Sequence, residues 1–176
     1  MFHIRIINLY FAIALITISL VACTEGEKIP FITLQEAKMN HDVPMNQMIE
    51  TIELDDFVVT FYETEEGFGV IEFVKRENGW GFSGSSLQRY NTELPLTDSG
   101  LTAGVDNQLA VYYGQINDEK IQKVIAIKGG KEFIPMVIQG TYGSYWLYTS
   151  NEELAIDKEH DQLIGLDKDG NVIYEK

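Results

Sequence analysis

Residues 57–75 read FVVTFYETEEGFGVIEFVK. Two runs of β-branched and aromatic residues, 57–62 and 68–75, lie on either side of a polar turn, and this composition is typical of a pair of strands. Asn78-Gly79 follows, and this pair favours the positive φ angles of a type I′ turn. The sequence therefore predicts a β-hairpin that continues into a further strand at residues 80–82.

The segment before these strands predicts a short helical start. Thr33 and Glu36 have the spacing of a capping box, in which each side chain accepts the backbone N–H of the other residue. This helix should end before Pro44, because a residue that precedes proline is disfavoured in the helical region. Residues 45–52 carry apolar side chains at both helical and strand spacing, so we expect a short second helix that runs into a strand.

The segment after these strands has a different character. Residues 83–106 show little apolar periodicity and include Pro95, Gly100 and Gly104. We interpret the segment as a long irregular connection between two halves of the chain. Loops of this length are often functional.

The second half of the chain repeats the first in outline. Residues 111–113 correspond to residues 60–62, and residues 127–128 correspond to residues 74–75. This similarity predicts two related β meanders, at about 55–90 and 107–176, within a single domain of residues 33–176. The alternative, that two antiparallel meanders look alike without a common origin, stays open.

The most aromatic strand is predicted at residues 140–149. Alternation along a strand places Tyr142, Trp146 and Tyr148 on one face and Tyr145 and Leu147 on the other. One face should pack in the core. The other either forms a sandwich face with amphipathic rings at its rim, or presents a ligand or partner surface made of Tyr142, Trp146 and Tyr148.

The chain closes with a second predicted hairpin. Its strands lie at residues 163–166 and 171–174, around the turn Asp167-Lys-Asp-Gly170. The two aspartates resemble part of a calcium loop, but Gly170 comes two positions too early and strands flank the segment. We interpret it as a turn, and the sequence predicts no metal site and no cofactor.

The first 23 residues have the pattern of a processing segment. Arg5 precedes an almost unbroken apolar run at residues 6–20, and Leu20-Val-Ala-Cys23 closes it. A small residue before a cysteine at the end of such a run is typical of a lipoprotein signal peptide, here residues 1–22. Cys23 would then be the lipidated, palmitate-bearing N-terminus of the mature protein, with residues 23–32 as a short polar tether.

Two alternatives to lipidation stay open. Residues 6–22 reach the lower length limit of a membrane-spanning helix, and a soluble secreted protein cut nearby would keep Cys23 as a spare thiol. Cys23 is the only cysteine of the chain, so the exported domain has no disulfide framework. A single cysteine at the one position that lipid attachment requires is best explained by that attachment.

The charge of the chain restricts its partners. The formal net charge is −14, and Arg5 is the only charged side chain in residues 1–22, so the exported part is strongly acidic. Such a surface repels nucleic-acid phosphates and anionic lipid headgroups, and we predict no nucleic-acid partner. The membrane is instead reached through the lipid on Cys23, which predicts a location on the cell membrane, facing the extracytoplasmic side.

No residue set in the sequence specifies a reaction, and we predict no catalytic residue. Gly81-Phe-Ser-Gly-Ser85 approaches a nucleophile elbow but ends in serine and lacks a parallel α/β setting. His41 and His160 are each followed by aspartate, as a base with an orienting carboxylate would be. The many carboxylates offer candidates for a glycosidase pair, but sequence does not fix the distance between them.

Several of these features together resemble a group of short lipoproteins of spore-forming Gram-positive bacteria. The resemblance covers most of the chain after the signal peptide and implies a lipid anchor and a β-rich fold, but no activity. It lies in the Cys23 lipobox, the Thr-x-x-Glu-Ala helix from Thr33 to Ala37, the strand at 57–62, the turn Asn78-Gly-Trp80, the segment 121–124 and the ending from Asp167 to Tyr174.

These observations predict a mainly β protein with a short N-terminal helical segment, built as an antiparallel β-sandwich or meander. The functional hypothesis is a non-enzymatic binding or interaction module at the cell surface, with a protein or an envelope polymer as its partner. The alternative hypothesis is a cell-envelope hydrolase that uses carboxylates or a His/Asp pair.

Overall fold

The computed structural model describes residues 33–103, 109–150 and 161–176. This part of the chain is mainly β, with twelve strands in three antiparallel sheets, which confirms the predicted fold class. The predicted signal peptide, Cys23 and the tether lie outside the described residues. The elements are α1 (Leu34–Met39), a 3-10 helix (Met45–Gln47), β1 (Met48–Leu54), β2 (Phe57–Glu63), β3 (Gly67–Arg76), β4 (Gly79–Arg89), β5 (Ser99–Ala103), β6 (Leu109–Ile116), β7 (Lys123–Lys128), β8 (Lys131–Phe133), β9 (Met136–Gln139), β10 (Ser144–Ser150), β11 (Gln162–Leu166) and β12 (Val172–Glu175).

The N-terminal helical segment forms as predicted. Thr33 Oγ1 accepts the Glu36 N–H at 3.1 Å, and the Glu36 carboxylate accepts the Thr33 N–H at 3.0 Å, so the capping box is complete. The 3-10 helix between Pro44 and β1 corresponds to the predicted second helix. Within the described ranges, neither helix has the length and apolar character needed to cross a bilayer.

The first sheet is the predicted meander, in the order β1-β2-β3-β4. β2 and β3 are buried on both faces, which explains why their sequences are almost continuously apolar. The hairpin between β3 and β4 is confirmed, but Arg76 pairs with Gly79, so the loop residues are Glu77 and Asn78. The turn therefore lies one position earlier than predicted, and Gly79, with φ of 124°, begins the next strand.

The predicted irregular connection over residues 83–106 is wrong at both ends of its described part. β4 continues to Arg89, paired with β3 except for a register shift at Ser83, and residues 99–103 form β5. Residues 90–98 between them belong to no strand. Residues 104–106 lie outside the described residues. β4 is rich in glycine and serine, so its composition does not indicate a strand. The strand forms because its backbone groups pair with those of β3, which requires no apolar side chain.

The described strands of residues 107–176 do not pair as a second meander. β6, β9 and β10 join β5 in a second sheet, in the order β5-β6-β10-β9, and β7, β8, β11 and β12 form a third sheet, in the order β12-β11-β7-β8. The segments that correspond in sequence to β2 and β3 lie in β6 and β7. β2 and β3 are neighbours in one sheet, whereas β6 and β7 belong to different sheets, so the strand order gives the suggested repeat no counterpart.

The second sheet lies between the other two. On one face, Tyr145 of β10 packs with Phe61 of the first sheet. On the opposite face, Trp146 packs with Leu163 of the third sheet. Helix α1 covers the outer face of the first sheet through Ala37. This layering buries both faces of β10 and places a margin between the second and third sheets, where the candidate site lies.

Candidate functional site

A cleft of about 500 Å³ opens between the second and third sheets. Such a volume falls within the range of roughly 300–1,000 Å³ that is typical of small-molecule sites. β5 and β6 line one side, and β7, β11 and Lys176 line the other. The side chains that matter for its chemistry are Asp98, Leu101, Tyr112, Lys128, Asp161 and Leu163, together with Lys176.

One wall of the cleft contains a largely buried ion pair. Lys128 Nζ lies 3.3 Å from Asp161 Oδ2, and the two side chains expose only 12% and 16% of their surface. The antiparallel pairing of β7 with β11, which joins Ile127 to Gln162, brings the two residues together. Asp161 Oδ1 also accepts the Gly129 N–H at 3.1 Å, so both carboxylate oxygens are held by the protein.

Tyr112 packs beside this pair. Lys128 Nζ lies 5.4 Å from the centre of the Tyr112 ring, a cation–π distance. The Tyr112 ring lies over Gly100, the residue on β5 with which Tyr112 pairs. A Cβ atom at position 100 would lie only 3.1 Å from a carbon of this ring. Burial raises the pKa of the Tyr112 hydroxyl, and the negative charge of Asp161 adds to this effect. The hydroxyl therefore stays protonated at neutral pH and is available as a donor.

A second ion pair lies at the more exposed part of the cleft. Lys176 Nζ lies 2.8 Å from Asp98 Oδ1, and these side chains expose 58% and 31% of their surface. The hydrogen bond to Asp98 and its negative charge raise the pKa of Lys176. Two lysines and two aspartates thus face one another, and their formal charges cancel within a chain whose net charge is −14.

The lining of the cleft combines polar and charged groups with apolar side chains. The lining groups with a shifted pKa are Tyr112 and Lys176, and both pKa values are raised further above neutrality. Neither group can act as a base at neutral pH, because each keeps its proton there. What the lining does offer is fixed hydrogen-bond donors and acceptors beside the apolar side chains of Leu101 and Leu163.

The three aromatic residues of the predicted partner surface do not form one surface. Trp146 is completely buried, and its indole N–H donates to the Thr97 carbonyl at 2.8 Å. Tyr148 is half-buried and packs on Phe133, with ring centroids 4.4 Å apart. Tyr142 lies in the bend before β10 and exposes 48% of its surface. Because both faces of β10 are covered, its aromatic side chains serve mainly the core.

Of the two candidate bases, His41 lies within the described residues and His160 lies outside them. His41 Nδ1 accepts the Val43 N–H at 3.2 Å, and its ring lies 5.1 Å from that of Phe82. Burial lowers the pKa of His41, although the negative charge of Asp42 opposes the shift. The ring nitrogen that a base would use is therefore occupied by the local backbone.

The two most deeply buried carboxylates are also too far apart for a glycosidase pair. Glu63 and Glu72 expose 3% and 0% of their surface. Glu72 pairs with Val59, four positions from Glu63 along β2, which places the two residues about 13 Å apart. Glycosidase carboxylates are separated by about 5–9.5 Å.

Among residues 33–103, 109–150 and 161–176, no three His, Cys, Asp or Glu side chains come together as a set that could hold a metal ion. The carboxylate of Asp167 instead stabilises its own turn. Its Oδ1 accepts the N–H groups of Asp169 and Asn171, both at 2.8 Å. The C-terminal hairpin is thus a hydrogen-bonded turn, with Gly170 at a φ of 84°.

Sequence reasoning missed the cleft because its residues come from distant parts of the chain. Lys128 and Asp161, for example, become neighbours only through the pairing of β7 with β11, which no local pattern reveals. Comparison of the chain with protein-family models, with curated proteins and with solved structures finds no match in any of the three.

Proposed function

We propose that this protein is a binding module, held by a lipid on the extracytoplasmic side of the cell membrane, and that the cleft between the second and third sheets is its ligand site. The anchor is supported by the sequence alone, through the apolar run at residues 6–20 and the ending Leu20-Val-Ala-Cys23. The ligand site is supported by the geometry of the cleft.

The observation that carries the proposal is a set of fixed polar groups with unused hydrogen-bonding capacity. The Lys128 ammonium has three N–H donors, and Asp161 is its one hydrogen-bond acceptor among the described residues. The Tyr112 hydroxyl makes no hydrogen bond to any described residue, although it lines the cleft. Polar groups that the protein already holds in place, but whose hydrogen-bonding capacity is not used up, are well suited to bind a ligand. Little conformational entropy of these side chains is then lost on binding.

Calorimetric titration of the full chain with a panel of small cell-envelope compounds tests this proposal. The panel should include short saccharides, amino acids and short peptides. Lys128→Met removes the ammonium group but keeps the length of the side chain. We expect at least one compound to bind the wild-type chain and to bind this variant about tenfold or more weakly.

Lys123→Met is the matched control for this experiment. Lys123 lies on the same strand, β7, but it is exposed and does not line the cleft. Its substitution should leave the affinity unchanged. Equal losses in both variants, or a panel of which no member binds the wild-type chain, would contradict the proposal. Urea unfolding of each variant shows whether a loss of binding reflects a loss of folding instead.

A further inference from the structure

The geometry of the cleft points to a neutral saccharide as its ligand, an inference that rests on the proposed function. Two features select this class of compound. The charges of the lining are already paired within the protein, and the groups that remain free are hydrogen-bond donors and acceptors beside apolar side chains. A sugar ring presents hydroxyl groups at its edge and C–H groups on its faces, and so complements both features.

The pairing of the charges disfavours a charged ligand. An anionic group that accepted a hydrogen bond from Lys128 would lie beside the Asp161 carboxylate, and a cationic group that donated to Asp161 would lie beside the Lys128 ammonium. Either arrangement brings like charges together in a partly dehydrated site, which is costly. A hydroxyl group accepts from the ammonium and donates to the carboxylate at the same time, so the ion pair stays intact.

The free donors and acceptors match the hydroxyl groups of a sugar. The carboxylate oxygens of Asp161 each accept one described hydrogen bond, and each has a second lone pair. The Tyr112 hydroxyl and the remaining N–H groups of Lys128 line the same space. Leu101 and Leu163 provide apolar contacts for the ring carbons.

The charge of the whole molecule further separates neutral from charged sugars. A formal net charge of −14 produces a negative potential that opposes the approach of an anionic saccharide. A cationic ligand would be attracted over long distances, but inside the cleft Lys128 and Lys176 already neutralise the two aspartates. Only an uncharged ligand is opposed neither by the long-range potential nor by the lining.

The test is calorimetric titration of the full chain with chemically matched probes. The neutral probes are cellobiose, maltotriose and diacetylchitobiose, and the charged probes are digalacturonate and free lysine. We expect saturable binding of at least one neutral saccharide, with little dependence on salt concentration. Tyr112→Phe removes only one hydroxyl group, and we expect it to weaken that binding about threefold to tenfold.

Tyr113→Phe is the control, because it removes a hydroxyl from the next residue of the same strand. The Tyr113 hydroxyl donates to Ser86 Oγ at 2.7 Å on the opposite face of the sheet, so its loss should not change saccharide affinity. If only digalacturonate or lysine binds, and does so in a Tyr112-dependent way, the saccharide class is wrong but the cleft remains the site. If Tyr112→Phe and Lys128→Met bind every probe as the wild-type chain does, the proposed site itself is wrong.

Discussion

Glu72 is the residue whose burial is hardest to reconcile with its chemistry. It is completely buried in β3, and neither of its carboxylate oxygens has a hydrogen-bond partner among the residues that the structure describes. Burial raises its pKa to about 7, because the charged form loses its solvation without gaining a compensating contact. The residue therefore binds a proton in the folded protein over a pH range in which an exposed glutamate has lost it.

This shift predicts how stability depends on pH. Between about pH 4.5 and pH 7 the folded state holds a proton on Glu72 that the unfolded state has lost, so the free energy of unfolding falls as pH rises through this window. Glu72→Gln imitates the protonated form at every pH. We expect this variant to be more stable than wild type by about 2–3 kcal/mol at pH 8, and similar to it at pH 4. Urea unfolding across this pH range measures the difference, and a constant difference would contradict the assignment.

Glu63 shows the opposite behaviour, although it is also buried. Burial alone would raise the pKa of this carboxylate, but hydrogen bonds from the backbone N–H groups of Thr141 and Tyr142 and from the Tyr145 hydroxyl outweigh it, and the pKa is lowered. These bonds join the end of β2 to the loop that precedes β10. Their contribution to stability is present above the pKa of the unfolded chain and is lost as pH falls below it.

We expect Glu63→Gln to destabilise the protein by about 2–3 kcal/mol at pH 7. The glutamine amide carries no charge, and its NH2 group cannot accept the hydrogen bonds that the backbone N–H groups and the Tyr145 hydroxyl donate. The loss should be smaller at pH 3.5, because the unfolded chain then holds a proton on Glu63 and the advantage of the folded carboxylate shrinks. Urea unfolding at both pH values measures it. Glu65→Gln, on the exposed turn after β2, is the control and should change little at either pH.

At the scale of elements, the sequence predicted those strands whose own side chains carry the evidence. β2 and β3 were recognised because their β-branched and aromatic residues suit strands that are buried on both faces. The part of β4 after Phe82 and the whole of β5 were missed because strand pairing uses backbone groups, which every sequence provides. The division of β6 and β7 between two sheets was also unpredictable, since alternation shows which face a residue occupies but not which sheet covers it.

Less of the candidate site than of the strands could be predicted from the sequence. Alternation correctly placed Trp146 and Tyr145 on opposite faces of β10. It did not show that a third sheet packs on the face that carries Trp146. Because of this packing, Trp146 is part of the core and not of an exposed ligand surface. The pairs formed by Lys128 with Asp161 and by Lys176 with Asp98 depend on contacts between distant segments. Neither pair has a local pattern by which it could be found.

β6 and the segment before β5 approach each other closely at Gly114. A Cβ at Gly114 would lie within 1.9 Å of the Thr97 carbonyl oxygen and 2.5 Å of Trp146 Nε1. The Thr97 carbonyl is the acceptor for the Trp146 indole, so a side chain at Gly114 would break that bond and displace backbone. We expect Gly114→Ala to lower the free energy of unfolding by about 2–4 kcal/mol.

The matched control for this variant is Gly143→Ala. A Cβ at Gly143 would meet nothing closer than 3.7 Å, the distance to Gln115 Nε2. It should therefore cost less than about 1 kcal/mol, since no atom has to move. Urea unfolding of the two variants separates the effect of close packing from the general effect of adding a methyl group. Similar losses at the two positions would show that the approach at Gly114 is not as close as the structure indicates.

At the scale of the whole molecule, the acidic body and the proposed anchor act in opposite directions. The whole chain has a formal net charge of −14, and such an acidic protein is repelled by anionic headgroups. Acyl chains contribute about 0.8 kcal/mol for each buried methylene, and two chains suffice for stable anchoring. Retention at the membrane should therefore depend on the single thiol of Cys23, whatever the domain binds.

Cys23→Ser removes this thiol and leaves every described residue unchanged. We expect wild-type protein in the membrane fraction, resistant to high salt because its attachment is hydrophobic, and the variant outside that fraction. Thr24→Ser, a change at the adjacent position, should behave as wild type. Mass spectrometry of the wild-type N-terminus separates lipidation from an uncleaved helix, since a lipidated protein begins at Cys23 with added acyl mass. A wild-type protein that still begins at Met1, or a Cys23→Ser variant that stays with the membrane, would mean that residues 6–22 themselves hold the chain in the bilayer.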